Sequence, residues 1–172
     1  MKKLITTLLF IATLTQSCET YKLIPLKGTY KNPKTFYFDK SFDEVWSATI
    51  KTVMKEGYSI HFLDKPSGAI VGVRTNLYNV STHEDEKGNL ANKQAFVVTE
   101  KVETGVSYIV PSDIKGDWNI LVYPENGKMA LNINFLNIDA RPGTTLKNSP
   151  HYYNAVSTGN FEKTIAESLK FQ

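Results

Sequence analysis

Cysteine and arginine are the scarcest informative residues: the 172-residue chain holds one of the former, Cys18, and two of the latter, Arg74 and Arg141. A single thiol excludes an internal disulfide framework. Two arginines, with lysines scattered along the chain, offer no basic patch to displace counterions from phosphates, which excludes nucleic acid as a partner. Histidine is sparse too. His61, His83 and His151 stand in no His-Glu-x-x-His or Gly-x-Ser-x-Gly pattern, and no phosphate-cradling glycine loop occurs. No apolar run approaches the about 20 residues that a membrane-spanning helix needs, and no internal repeat or low-complexity segment is present. What remains, 41% hydrophobic and 12% aromatic residues, suits one compact domain and excludes a disordered or fibrous chain.

The amino terminus carries the strongest signal. Lys2 and Lys3 precede an eleven-residue apolar stretch, 4–14, followed by Thr15-Gln16-Ser17 and then Cys18. The stretch is too short to span a bilayer and reads as an export signal over residues 1–17. Without Lys2 and Lys3 the formal charge of +3 falls to 18 basic against 17 acidic side chains.

The junction resembles the lipobox of bacterial lipoproteins. Ser17 is the small residue before the cysteine, while Thr15 stands where leucine is commoner and Gln16 is bulkier than usual. The resemblance implies a diacylglycerol on the Cys18 thiol, cleavage just before it, and a further acyl chain on the new amino terminus, so that the membrane is a partner through those chains. Two or three chains make a lasting anchor at about 0.8 kcal/mol per buried methylene. Glu19 and Thr20 lack the aspartate that marks inner-membrane retention in many Gram-negative lipoproteins, which implies the outer membrane, on either face. The alternative is ordinary cleavage after Ser17, since Thr15 and Ser17 also satisfy a small-x-small pattern, leaving Cys18 a free thiol.

Residues 18–34 read as a tether with its lipidated start. Sixteen residues from Glu19 to Lys34, punctuated by Pro25, Gly28 and Pro33, would reach roughly 55 Å if extended. Tyr21, Leu23, Ile24, Leu26 and Tyr30 make the segment more apolar than a Gly/Ser spacer. Either these side chains pack back on their own domain, or they serve a partner.

Residues 35–172 read as a single α+β domain, an antiparallel sheet with two helices packed on one face. Residues 35–39 alternate as a strand, and Ser41-Phe42-Asp43-Glu44 forms a capping box that opens a helix. Phe42, Val45, Trp46, Thr49, Ile50, Val53 and Met54 make its apolar stripe, and Gly57 suits its left-handed end. Residues 58–63 and 69–75 flank a turn at 64–68 and predict a hairpin. Strand character returns over 94–102 and 106–110. Residues 118–123 and 128–138, joined through Asn126-Gly127, predict a tight hairpin, with Met129, Leu131, Ile133 and Phe135 facing the core and Asn132 and Asn134 facing water. Residues 140–158 read as irregular, and a final helix from Gly159 buries Phe161, Ile165 and Leu169.

Phe42-Asp43-Glu44-Val45-Trp46 after a strand, a helix closing near Gly57, then Asp64-Lys65 and Ser67-Gly68-Ala69-Ile70 resemble the start of the small domains in the C lipoprotein of the outer-membrane β-barrel assembly machinery. The likeness covers about forty residues and implies a non-enzymatic helix-on-sheet interaction domain, with no binding residue to carry over.

The expected reading is therefore an accessory or scaffold protein of the cell envelope, not an enzyme, with no cofactor and no metal. Tyr21, Leu23, Ile24 and Leu26, with Tyr152 and Tyr153 in the irregular stretch, are the candidate contacts for an envelope protein partner. Asp64, Asp113, Asp117 and Asp139 at strand ends and turns are the acids that a glycoside hydrolase would draw on, with solvated carboxylates the simpler expectation. Glu84-Asp85-Glu86 lacks the spacing of a calcium loop and reads as a solvated turn. The other function class is a carrier that holds an apolar ligand between helix and sheet under the Trp46 stripe, which needs an unfilled cavity of some 300 Å³.

Overall fold

The computed structural model describes residues 22–30, 34–77, 81–103, 108–109, 111–142, 152–169 and 171. Cys18, Tyr21, His151 and the export signal lie outside the described residues. In chain order the elements are β1 (Lys22–Ile24), β2 (Lys34–Phe38), α1 (Phe42–Lys55), β3 (Phe62–Asp64), β4 (Ala69–Asn76), β5 (Ser81–Thr82), β6 (Val97–Thr99), β7 (Lys101–Glu103), β8 (Tyr108–Ile109), β9 (Asp113–Glu125), β10 (Lys128–Arg141), β11 (Ala155–Ser157) and α2 (Asn160–Glu167). The architecture is α+β, as the periodicities predict.

The longest pairing is the β9–β10 hairpin. Asn126 and Gly127 at its tip have φ of +52° and +76°, the doubly left-handed turn whose twist matches the strands it joins. Opposite residues Leu131/Val122, Ile133/Ile120 and Phe135/Trp118 share one face and are buried there. The five-stranded sheet runs β2-β10-β9-β4-β3. Phe36 and Phe38 of β2 stand opposite Leu131 and Met129, and Ile70 of β4 stands opposite Ile120, so the apolar face is continuous across the sheet.

Both helices cover that face. Ser41 caps α1 as expected: Glu44 N donates to Ser41 Oγ at 3.3 Å, and Ser41 N donates to the Glu44 carboxylate at 2.9 Å. At the other end Gly57 N reaches the Met54 carbonyl and Tyr58 N the Val53 carbonyl, closing the helix over a left-handed Gly57. Val45, Trp46, Thr49 and Val53 are buried as expected, but Met54 is 65% exposed. Ala48 and Thr52 take the buried places instead, because the stripe continues along the side that meets α2. Phe161 of α2 packs its ring on Phe135, Tyr58 and Phe96.

Two departures from regular pairing share one anchor. Register shifts occur in β4 between Gly72 and Thr75 and in β10 between Leu136 and Asp139, and each bulge contains a left-handed non-glycine residue, Arg74 and Asn137. Arg74 N donates to Asp117 Oδ1 at 2.8 Å and Asn137 Nδ2 to Asp117 Oδ2 at 3.0 Å. One carboxylate on the central strand thus holds both bulges.

Two three-stranded sheets, β1-β7-β8 and β11-β6-β5, flank the main one. The strand expected over 94–102 is interrupted at Glu100. Its buried carboxylate accepts from Asn154 N and Nδ2 at 3.0 and 2.8 Å, so the chain pairs on either side of it with different neighbours. Ala155–Ser157, expected as irregular, is a strand beside β6.

Candidate functional site

The segment expected as a tether is docked over residues 22–30. Lys22, Leu23 and Ile24 pair antiparallel with Glu103, Val102 and Lys101. Beyond β1 the chain is clamped by Glu84, whose carboxylate accepts from Lys27 N at 2.6 Å, Gly28 N at 2.8 Å and the Tyr30 hydroxyl at 2.6 Å. The acidic run is therefore only partly the solvated turn that its composition suggests. Glu84 is buried, because three donors from the N-terminal segment replace its water; Asp85 is exposed and closes a turn onto Lys87 N and Asn89 N, each at 2.8 Å. Burial alone would raise the Glu84 carboxyl, but the hydrogen bonds from Tyr30, Lys27 and Gly28, with the Lys27 charge, hold it below the usual carboxylate range.

Of the expected contact residues, Leu23 is 47% exposed and Ile24 and Leu26 are half-buried against the domain. Tyr152 and Tyr153 do not act together. Tyr152 is 62% exposed with the Arg141 guanidinium 5.1 Å from its ring centre; Tyr153 is 4% exposed, and its N–H donates to the Ala140 carbonyl. Neighbours in an extended segment face opposite ways, so only Tyr152 is available to a partner. The buried Tyr153 hydroxyl has no hydrogen-bond partner among the described residues.

A second feature lies at the margin of the main sheet. Among the described residues β2 pairs only with β10, so alternate residues of β2 turn their backbone N–H and C=O groups away from the sheet. Facing that edge is one side of α2, formed by Asn160, Lys163, Ala166 and Glu167, and between the two runs a groove of about 710 Å³. Its two ends differ. At one, a Cβ on Gly159 would come within 2.6 Å of Lys34 Cε, and Lys163 lies one turn further on, 3.6 Å from Glu167. At the other is Phe38, whose ring packs on Phe171 at 5.4 Å, with Lys40 Nζ 5.5 Å from the centre of the Phe171 ring. No residue pattern foretells this groove, because any alternating strand reads alike whether or not a neighbour covers its edge.

Asp113, Asp117 and Asp139, three of the four acids expected at strand ends and turns, are occupied structurally. Asp113 pairs with Lys115 at 3.1 Å and Asp139 with Arg141 at 2.6 Å. Hydrogen bonds from Arg74 N and the Asn137 side chain lower the Asp117 carboxyl, and those from Arg141 lower that of Asp139; neither suits the proton-donor role at neutral pH. Among the described residues no three His, Cys, Asp or Glu side chains cluster as metal ligands, and no helix is long and apolar enough to cross a membrane. No protein-family model matches the chain, and neither does any curated protein sequence.

Proposed function

We propose that the chain is a lipoprotein, acylated at Cys18 and anchored in the outer membrane, whose α+β domain is a non-catalytic interaction module with an accessory or scaffold role in the cell envelope. The docking of residues 22–30 carries this reading. A spacer expected to reach roughly 55 Å is instead used as strand and clamp, and only Cys18, Glu19, Thr20 and Tyr21 remain between anchor and domain. Four residues extend about 14 Å. The domain then rides against the bilayer, where its contacts are with membrane-bound or membrane-proximal proteins.

The carrier alternative has less to support it. Trp46 stacks on Phe42 at 5.7 Å and belongs with Val45, Val53, Ile70, Ile120 and Phe135 to one buried apolar cluster, which leaves a ligand to displace side chains already in contact. Metabolic labelling with a palmitate analogue tests the anchor: wild type incorporates label and Cys18→Ser does not, and equal labelling of both sinks it. Crosslinking in native membranes tests the interaction role. A discrete, reproducible partner is expected, and a protein that crosslinks to none fails the reading.

A further inference from the structure

We infer that residues 22–30 form a strap that lifts off while the domain stays folded, and that its docking and release set how far the domain stands from its lipid anchor. This rests on acylation at Cys18 as read above. The strap is fastened differently from the rest of the fold. None of residues 22–30 is buried, and none belongs to the apolar cluster that the main sheet and both helices share or to the side chains packed on it. Three strand pairings to β7 and a set of polar bonds do the holding: Glu84 accepts from Lys27 N, Gly28 N and the Tyr30 hydroxyl, and Lys27 Nζ donates to the Glu86 carbonyl at 2.6 Å. On release water takes the place of each polar partner, so opening costs far less than exposing the core. A three-residue edge strand with few buried apolar contacts belongs to the least stable part of a fold and opens locally.

The surface that receives the strap holds its shape by itself. Asp85 N donates to the Asn89 carbonyl at 2.8 Å, Gly88 N to the Asp85 carbonyl at 3.1 Å and Ala91 N to the His83 carbonyl at 3.0 Å, which fixes the turn that follows Glu84. On the other side of β7, Val102 and Glu103 pair with Ile109 and Tyr108. The gap between the strap and Glu84, Asp85, Thr99 and Lys101 is about 10 Å³, room for one water at most, so the seat is filled by the strap itself. Release therefore displaces the strap and leaves its seat formed for return. The consequence is reach. Docked, four residues separate lipid from domain and extend about 14 Å; released, the sixteen from Glu19 to Lys34 extend to roughly 55 Å. The domain accordingly has two working positions, one against the bilayer and one up to about 40 Å further out, where proteins beyond the headgroups come within range.

The test uses the full-length protein purified from membranes. In detergent micelles, hydrogen exchange of wild type is followed by NMR, and the Lys27 and Gly28 amides are expected to exchange at least about a hundredfold faster than those of β9 and β10. In vesicles of phosphatidylethanolamine and phosphatidylglycerol containing a dansyl lipid, energy transfer from Trp46 and Trp118 reports the distance from domain to bilayer. A disulfide between Lys22→Cys and Glu103→Cys, which replace directly opposite residues, staples the strap down. The oxidised staple is expected to give more transfer than its reduced form, and Glu84→Gln less than wild type, with β9 and β10 exchange unaltered in each. Lys27 and Gly28 amides that exchange no faster than β10 would show the strap opening only with the whole domain and overturn the proposal, as would transfer that does not respond to the staple. A chain that carries no acyl group and stays off the vesicles removes the anchor reading and the reach with it, while the exchange rates still decide whether the strap opens.

Discussion

Glu84→Gln isolates the clamp that draws the N-terminal segment onto the domain. The carboxylate accepts three hydrogen bonds, at 2.6, 2.8 and 2.6 Å, from Lys27 N, Gly28 N and the Tyr30 hydroxyl. Glutamine has one acceptor oxygen, so at least one backbone donor loses its partner and the charge assistance goes from all three. Hydrogen bonds to charged groups contribute about 1.5–3 kcal/mol each, so losing one and weakening the other two costs about 3 kcal/mol in all. Residues 22–30 are held by three strand pairings and this clamp, so the loss appears as local opening rather than global unfolding. Hydrogen exchange of the β1 amides should accelerate on the order of a hundredfold, with β9 and β10 unchanged. Gly28→Ala should act alike, because its Cβ would lie 2.7 Å from Glu84 Oε1 and 2.8 Å from the Tyr30 hydroxyl. The pH dependence has a definite sign. A carboxyl lowered in the folded state contributes stability that is complete above its unfolded value, about 4.3, and is lost as pH falls through the folded value. The β1 amides should therefore stay protected at pH 5 and open only in stronger acid. Slow β1 exchange in Glu84→Gln would refute the clamp, and uniform acceleration over all strands would show that Glu84 supports the whole fold.

Other perturbations probe the core. Trp46→Ala should cost about 3–5 kcal/mol in urea unfolding, since the ring is buried and stacked on Phe42; a stable variant would mean the ring is a ligand platform. Gly72 faces the Trp118 ring so closely that a Cβ there would overlap it, and moving the ring breaks the 2.8 Å bond from Trp118 Nε1 to Thr75 Oγ1. Gly72→Ala should lose about 2–4 kcal/mol, overpacking plus one hydrogen bond, and an unchanged urea midpoint would contradict that packing. Burial raises the Glu162 carboxyl, outweighing hydrogen bonds from its own N–H, Ser157 and Phe135 N and the pull of Lys34. The folded state then keeps a proton that the unfolded chain loses near pH 4.3, so the contribution is full below that value and declines as pH rises through the folded one. Glu162→Gln should flatten that decline in a series of thermal melts, and an unaltered slope would dismiss the account.

What could be read in the sequence alone is what neighbouring residues settle among themselves. Ser41 and Glu44 satisfy each other within one helical turn, Gly57 supplies a left-handed residue where a helix must end, and Asn126-Gly127 turns a hairpin whose strands alternate Met129, Leu131, Ile133 and Phe135. These are short-range matters of backbone geometry and side-chain period, and from them the α+β class and the buried face of β10 follow. Strands of two or three residues, such as β5, β8 and β11, are too short to show a period, and they exist because another segment reaches them. Glu84 stands in a run of acids and reads as solvated, yet donors 54 to 57 residues away desolvate it. Tyr152 and Tyr153 are equivalent in sequence, and only their place beside Ala140 makes one a surface residue and the other core. That β2 pairs on one side only, among the described residues, is likewise a property of sheet order, fixed when β10 takes that side, so that Lys34 and Lys163 line one groove where no local pattern had placed them.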